Sequence, residues 1–60
     1  MDDNSIMPFG RHKGSAMVAI PDEYLLWFWG ENSTLYKRGD LSGETLLVMK
    51  YIDDSFEDLP

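Results

Sequence analysis

The sequence predicts an α+β domain of order β-β-α-α, a small β-hairpin followed by two helices, and three observations carry that reading. Two short apolar stretches, "IMPF" and "SAMVAI", flank "GRHKG", a connection with a glycine at each end. "PDEYLLWFWG" holds the start and stop signals of a helix. Leu41, Thr45, Val48, Ile52 and Phe56 recur at helical spacing.

The hairpin is expected over residues 6–19. Gly10 and Gly14 accept a positive φ without steric cost, as loops of about three to five residues between paired strands commonly require. Pro8 cannot donate to a ladder, so its strand belongs at an edge.

The first helix is expected over residues 21–30. Pro21 suits the first turn, Asp22 and Glu23 complement the positive end of the dipole, and Gly30 suits the left-handed position beyond the last turn. Tyr24, Trp27, Phe28 and Glu31 share one face, with Leu25 and Trp29 to one side and Leu26 to the other. The segment is thus apolar nearly all round, and part of it must meet the second helix or a partner. Trp27 is expected in the core against Phe9. Trp29 and Leu26 are expected at the surface, as partner-binding residues of a homodimer.

Residues 31–40 read as a polar connector anchored by Leu35 and Tyr36. Asp40 is a candidate N-cap for the second helix, expected over about residues 41–56, with Ser42 as the competing start. Leu47 and Tyr51 flank its apolar stripe. The whole chain, 1–60, is one small domain with a flexible lead at 1–5 and a frayed acidic tail at 54–60, where carboxylates meet the unfavourable end of the dipole.

Composition bounds the chemistry. A 60-residue chain buries only about 60% of the surface its unfolded form exposes, so its core must be rich in large side chains, and eight aromatic residues meet that need. The absence of cysteine leaves no disulfide or thiolate metal staple. The acidic start "MDDNS" is unlike a secretory signal, and "YLLWFW" is too short to cross a bilayer, which together point to a cytoplasmic protein without a membrane.

No serine, threonine or lysine has an evident activating base, and no cofactor motif or metal-ligand spacing occurs, so neither enzymatic activity, metal nor cofactor is expected. Asp53 with Glu57 and Asp54 with Asp58 stand one helical turn apart, but a solubilising tail explains them more simply.

Net charge is −6, yet the five basic residues cluster. Arg11 and Lys13 bracket His12, and Lys37 adjoins Arg38. Cations on a glycine-flanked loop can grip phosphate through side chains and freed backbone N–H groups. Arg11, His12, Lys13, Lys37 and Arg38 are therefore the candidate nucleic-acid-binding residues.

"MPFGRHKG", followed seven residues later by "PDEYLLW", resembles a small bacterial domain of unknown function whose members are labelled quorum-sensing-regulated virulence factors. It is also similar to the domain that follows the nuclease in exodeoxyribonuclease X-like proteins. Met7, Pro8, Phe9, Gly10, Arg11, His12, Lys13, Gly14, Pro21, Tyr24, Leu25 and Trp27 carry the resemblance, which covers about residues 6–29. Position 11 is arginine where the family more often has lysine. Proximity to a nuclease implies a role near nucleic acid.

The expected function is a non-catalytic accessory module that contacts nucleic acid, or a nucleic-acid-processing protein, through the Gly10–Gly14 loop. The alternatives are an acidic protein that binds a basic partner or imitates DNA charge, and a purely structural homodimer.

Overall fold

Two helices carry the fold in a computed structural model, which describes residues 1–59. Helix α1 spans Asp22–Arg38 and α2 spans Gly43–Ser55, preceded by one 3₁₀ turn at Met17–Ala19. Among the described residues there is no strand, so the domain is all-α, and the expected β-hairpin over residues 6–19 is corrected.

The chain does double back at "GRHKG", but the pairing stops at one isolated antiparallel bridge, Ile6 with Ala16. The Met7 N–H donates to the Ser15 carbonyl at 2.8 Å and the Gly14 N–H to the Met7 carbonyl at 3.0 Å. Toward the turn, Pro8 brings no N–H to extend a ladder. Away from it, Met17–Ala19 winds into the 3₁₀ turn. Two proline-limited, turn-limited segments thus approach without forming strands.

Helix α1 continues eight residues past the expected stop. Gly30 sits inside it, at a cost of roughly 1 kcal/mol relative to alanine, and Asn32, Ser33 and Thr34 beyond it are weak helix formers. The extension therefore rests on packing of Trp29 in the core and of Tyr36 against it. Termination falls to Gly39, left-handed at φ 78°. Its N–H bonds the Tyr36 carbonyl and the Asp40 N–H the Leu35 carbonyl, the two bonds of a Schellman end. Lys37 and Arg38 complement the last turn.

The longer helix changes which face is buried. Leu25, Phe28 and Trp29 are buried, and Tyr36 packs beside them, an i, i+3, i+4, i+11 stripe. Trp29 is 3% exposed and Trp27 57% exposed, so the expected assignment of the two tryptophans is reversed. The Trp29 ring meets Tyr36 edge-on at 5.5 Å.

Helix α2 starts at Ser42, the competing cap, whose side chain makes no capping bond. Asp40 instead pairs with Arg38 at 3.2 Å. Val48, Met49, Tyr51 and Ile52 face the core, Leu41 and Phe56 pack at its edge, and Leu47 is exposed. Met7, Met17 and Ile20 close the core from the N-terminal segment. That segment is tied to α2 by the Tyr51 hydroxyl, which donates to Asp3 Oδ1 at 2.8 Å, and α1 is tied to α2 by Tyr36, which donates to Asp53 Oδ2 at 2.8 Å. Residues 56–59 follow α2 without helix, and Pro60 of the expected tail lies outside the described residues.

Candidate nucleic-acid interface

The basic loop is held against the first turns of α1 by rings. Phe9 stacks on Phe28 with centroids 5.8 Å apart, and His12 stands edge-on to Tyr24 at 4.6 Å. Tyr24 in turn lies 5.6 Å from Trp27. Gly10 and Gly14 take φ 81° and 91°, as expected of the glycines that bound this loop. Gly10 has a second reason to be glycine, because a Cβ there would stand 2.8 Å from the Tyr24 hydroxyl. The N–H groups of Lys13 and Ser15 bond the carbonyls of Gly10 and His12, which winds the loop into successive turns.

Gly10, Arg11, His12, Pro21, Glu23, Tyr24 and Trp27 line a surface hollow of about 760 Å³. Its wall is aromatic, Arg11 supplies a cation and Glu23 an anion. The positive end of α1 opens onto it, moderated by Asp22 and Glu23. Such a hollow can stack a planar ring on Trp27 and hold an anion at Arg11.

The candidate residues are not all gathered there. Lys13 is exposed on the same loop but outside the hollow lining. Lys37 and Arg38 lie at the far end of α1, about 20 Å along its axis from Tyr24 at 1.5 Å per residue. Leu26 is exposed as expected, whereas burial of Trp29 removes it as a partner-binding residue. Tyr24, Trp27 and Glu23 escaped the list of candidate residues. Their signal was the proline-led helix start beside a basic loop, obscured by placing Trp27 in the core.

The carboxylate pairs dissolve as geometric units. Helix α2 ends at Ser55, so Glu57 and Asp58 do not continue the turn that would align them with Asp53 and Asp54. Asp53 accepts the Tyr36 hydroxyl. That bond, followed by desolvation and the nearby negative charge, raises the Tyr36 pKa above 10.0. Burial, then the bond to Asp3, raises that of Tyr51. Among the described residues no three His, Cys, Asp or Glu side chains gather as metal ligands. Among the described residues no helix is long and apolar enough to cross a membrane.

Fold and hollow together define a small two-helix domain with a ring-anchored basic loop. The chain belongs to the family described as "Putative quorum-sensing-regulated virulence factor", whose model matches residues 3–59. It is 46% identical over 46 residues to the uncharacterized protein YpeB of Escherichia coli (strain K12), a match covering 75% of this chain and 64% of that one. YpeB of Escherichia coli O157:H7 matches equally. The chain therefore spans less than two thirds of the length of these curated relatives. No solved structure matches it.

Proposed function

We propose that this domain is a non-catalytic accessory module that contacts single-stranded nucleic acid, or a nucleic-acid-processing protein engaged with it, through the Gly10–Gly14 loop and the adjoining hollow. The observation that carries the reading is the exposed Trp27 ring beside Tyr24 and His12, with Arg11 in the same lining. Bases stack on exposed aromatic rings with little regard to sequence, while a cation positions the phosphate. The sequence of residues 6–29 alone resembles the domain that follows the nuclease in exodeoxyribonuclease X-like proteins, and that resemblance favours the same surroundings. Lys37 and Arg38 are a second contact for a longer strand, and the site needs no metal or cofactor.

The test is binding of a fluorescent single-stranded oligonucleotide at low ionic strength. The wild type binds with a log–log salt slope of about −1 to −3, matching the few phosphates this loop can reach. Arg11→Glu with Lys13→Glu abolishes binding and leaves the melting temperature intact, because both cations are exposed. Trp27→Ala weakens binding by about 1–3 kcal/mol, the value of one stacked base. A wild-type chain that binds no nucleic acid even at low salt overturns the proposal.

A further inference from the structure

A second hollow, of about 570 Å³, lies between the start of α1 and the end of α2. Its floor is apolar, built on Ile20, Leu25 and Tyr51. Val18 and Leu26 line it while remaining 63% and 44% exposed. Lone exposed apolar side chains are ordinary on a protein surface. Here two of them share one groove with half-buried Phe56 and Leu59.

The charge around this floor has one sign. Asp22, Glu57 and Asp58 belong to the lining, and no lysine, arginine or histidine does. Ser55, the last residue of α2, also lines the groove, so the negative end of that helix dipole adds to the three carboxylates.

We propose that the groove docks a basic amphipathic segment of a partner protein, its apolar side chains on Val18, Leu26 and Phe56 and its lysines or arginines against Asp22, Glu57 and Asp58. Charge selects this occupant. An acidic segment would meet three like charges, and so would a second copy docked groove to groove about a two-fold axis, because an isologous contact sets each patch against itself. The site is separate from the Arg11 hollow and shares no lining residue with it. One small domain then presents a cation beside exposed aromatic rings on one surface and a carboxylate-rimmed groove on another, which suits an adaptor between an anionic ligand and a cationic protein segment.

The experiment uses synthetic peptides of about 14 residues, four helical turns, with leucines spaced to share one helix face. One peptide fills the other face with lysine, a second fills it with glutamate, and a third scrambles the leucine–lysine order. Binding is followed by calorimetry and by amide chemical shifts of the whole chain. The patterned leucine–lysine peptide binds and shifts the amides of Val18, Leu26 and residues 55–59, the scrambled one binds roughly tenfold more weakly, and the glutamate one does not bind. Leu26→Lys lowers affinity by roughly tenfold or more. Glu57→Gln with Asp58→Asn, a change confined to the segment beyond α2, lowers it severalfold. Arg11→Glu with Lys13→Glu leaves peptide binding unchanged, so this result stands apart from the nucleic-acid test. Equal binding of patterned and scrambled lysine peptides overturns the proposal, as do shifts confined to other surfaces. Concentration-dependent shifts of Val18 and Leu26 in the free protein also overturn it, by showing a second copy in the groove.

Discussion

The Tyr51 hydroxyl donates to Asp3 Oδ1 at 2.8 Å, joining residues 48 positions apart. It ties the middle of α2 to the segment that leads into the basic loop. The Asp3 carbonyl also accepts the Val18 N–H at 3.0 Å, so the same residue braces the middle of the 3₁₀ turn. Tyr51→Phe keeps the ring in the core and deletes the bond. Its expected cost is about 0.5–1.5 kcal/mol, the net value of one hydrogen bond, because Asp3 is exposed and water can replace the lost donor, read as a lower melting temperature. Asp3→Asn keeps an acceptor and costs less. Equal and negligible effects of both would show that the tie contributes nothing to stability.

Alkali should loosen the fold through two tyrosines. Tyr36 and Tyr51 both titrate above 10.0 in the folded chain, Tyr36 chiefly through its bond to Asp53 and Tyr51 chiefly through burial. A raised folded pKa means that the native state holds its proton more tightly than the unfolded one. Their stabilising contribution is therefore complete below the unfolded value and is lost as pH rises through the folded values. Urea midpoints should fall above about pH 10, and the double variant Tyr36→Phe with Tyr51→Phe should flatten that fall. An identical alkaline profile in the double variant would place the effect elsewhere.

Two loop glycines should respond differently to alanine. Both need a positive φ, so each substitution incurs strain of about 1–3 kcal/mol. At Gly14 the new Cβ enters open space, whereas at Gly10 it stands 2.8 Å from the Tyr24 hydroxyl. Gly10→Ala should lower the melting temperature more than Gly14→Ala. It should also change the fluorescence of exposed Trp27, because Tyr24 must move. If Gly14→Ala were the more damaging, the loop would not lie against Tyr24.

Gly30→Ala should stabilise the protein. Gly30 lies within α1 outside the positive-φ region, and nothing stands within 4 Å of a Cβ built there. Alanine removes the entropic penalty of a mid-helix glycine, worth roughly 0.5–1 kcal/mol. Thermal melting and far-ultraviolet circular dichroism measure the gain. A loss instead would mean that the helix ends at this residue in a left-handed cap.

Much of the chain was legible before its fold was known. The turn at "GRHKG", the proline-led helix start and the Ser42 alternative for the second helix are local properties of glycine, proline and capping residues, and the structure keeps each of them. Val48 and Ile52 were readable because α2 has one unambiguous apolar stripe. The reversed tryptophans have a single cause. Ending the first helix at Gly30 left a segment apolar all round, with no polar turn to orient it. Adding Tyr36 shifts the buried stripe by one residue, to Leu25, Phe28 and Trp29.

By itself the sequence determined where the chain bends and starts its helices, how charge is segregated and where the basic loop falls, because backbone stereochemistry and side-chain charge act over a few residues. Tertiary structure decided that residues 6–19 make one bridge instead of a hairpin, that α1 runs through Gly30 to Gly39, that Trp27 rather than Trp29 faces outward, and that Arg11 joins Trp27 while Lys37 and Arg38 do not. Each depends on which of two nearly equal local choices buries more apolar surface against a distant segment. That comparison can be made only once Met7, Met17, Phe28, Trp29 and Ile52 meet in one core.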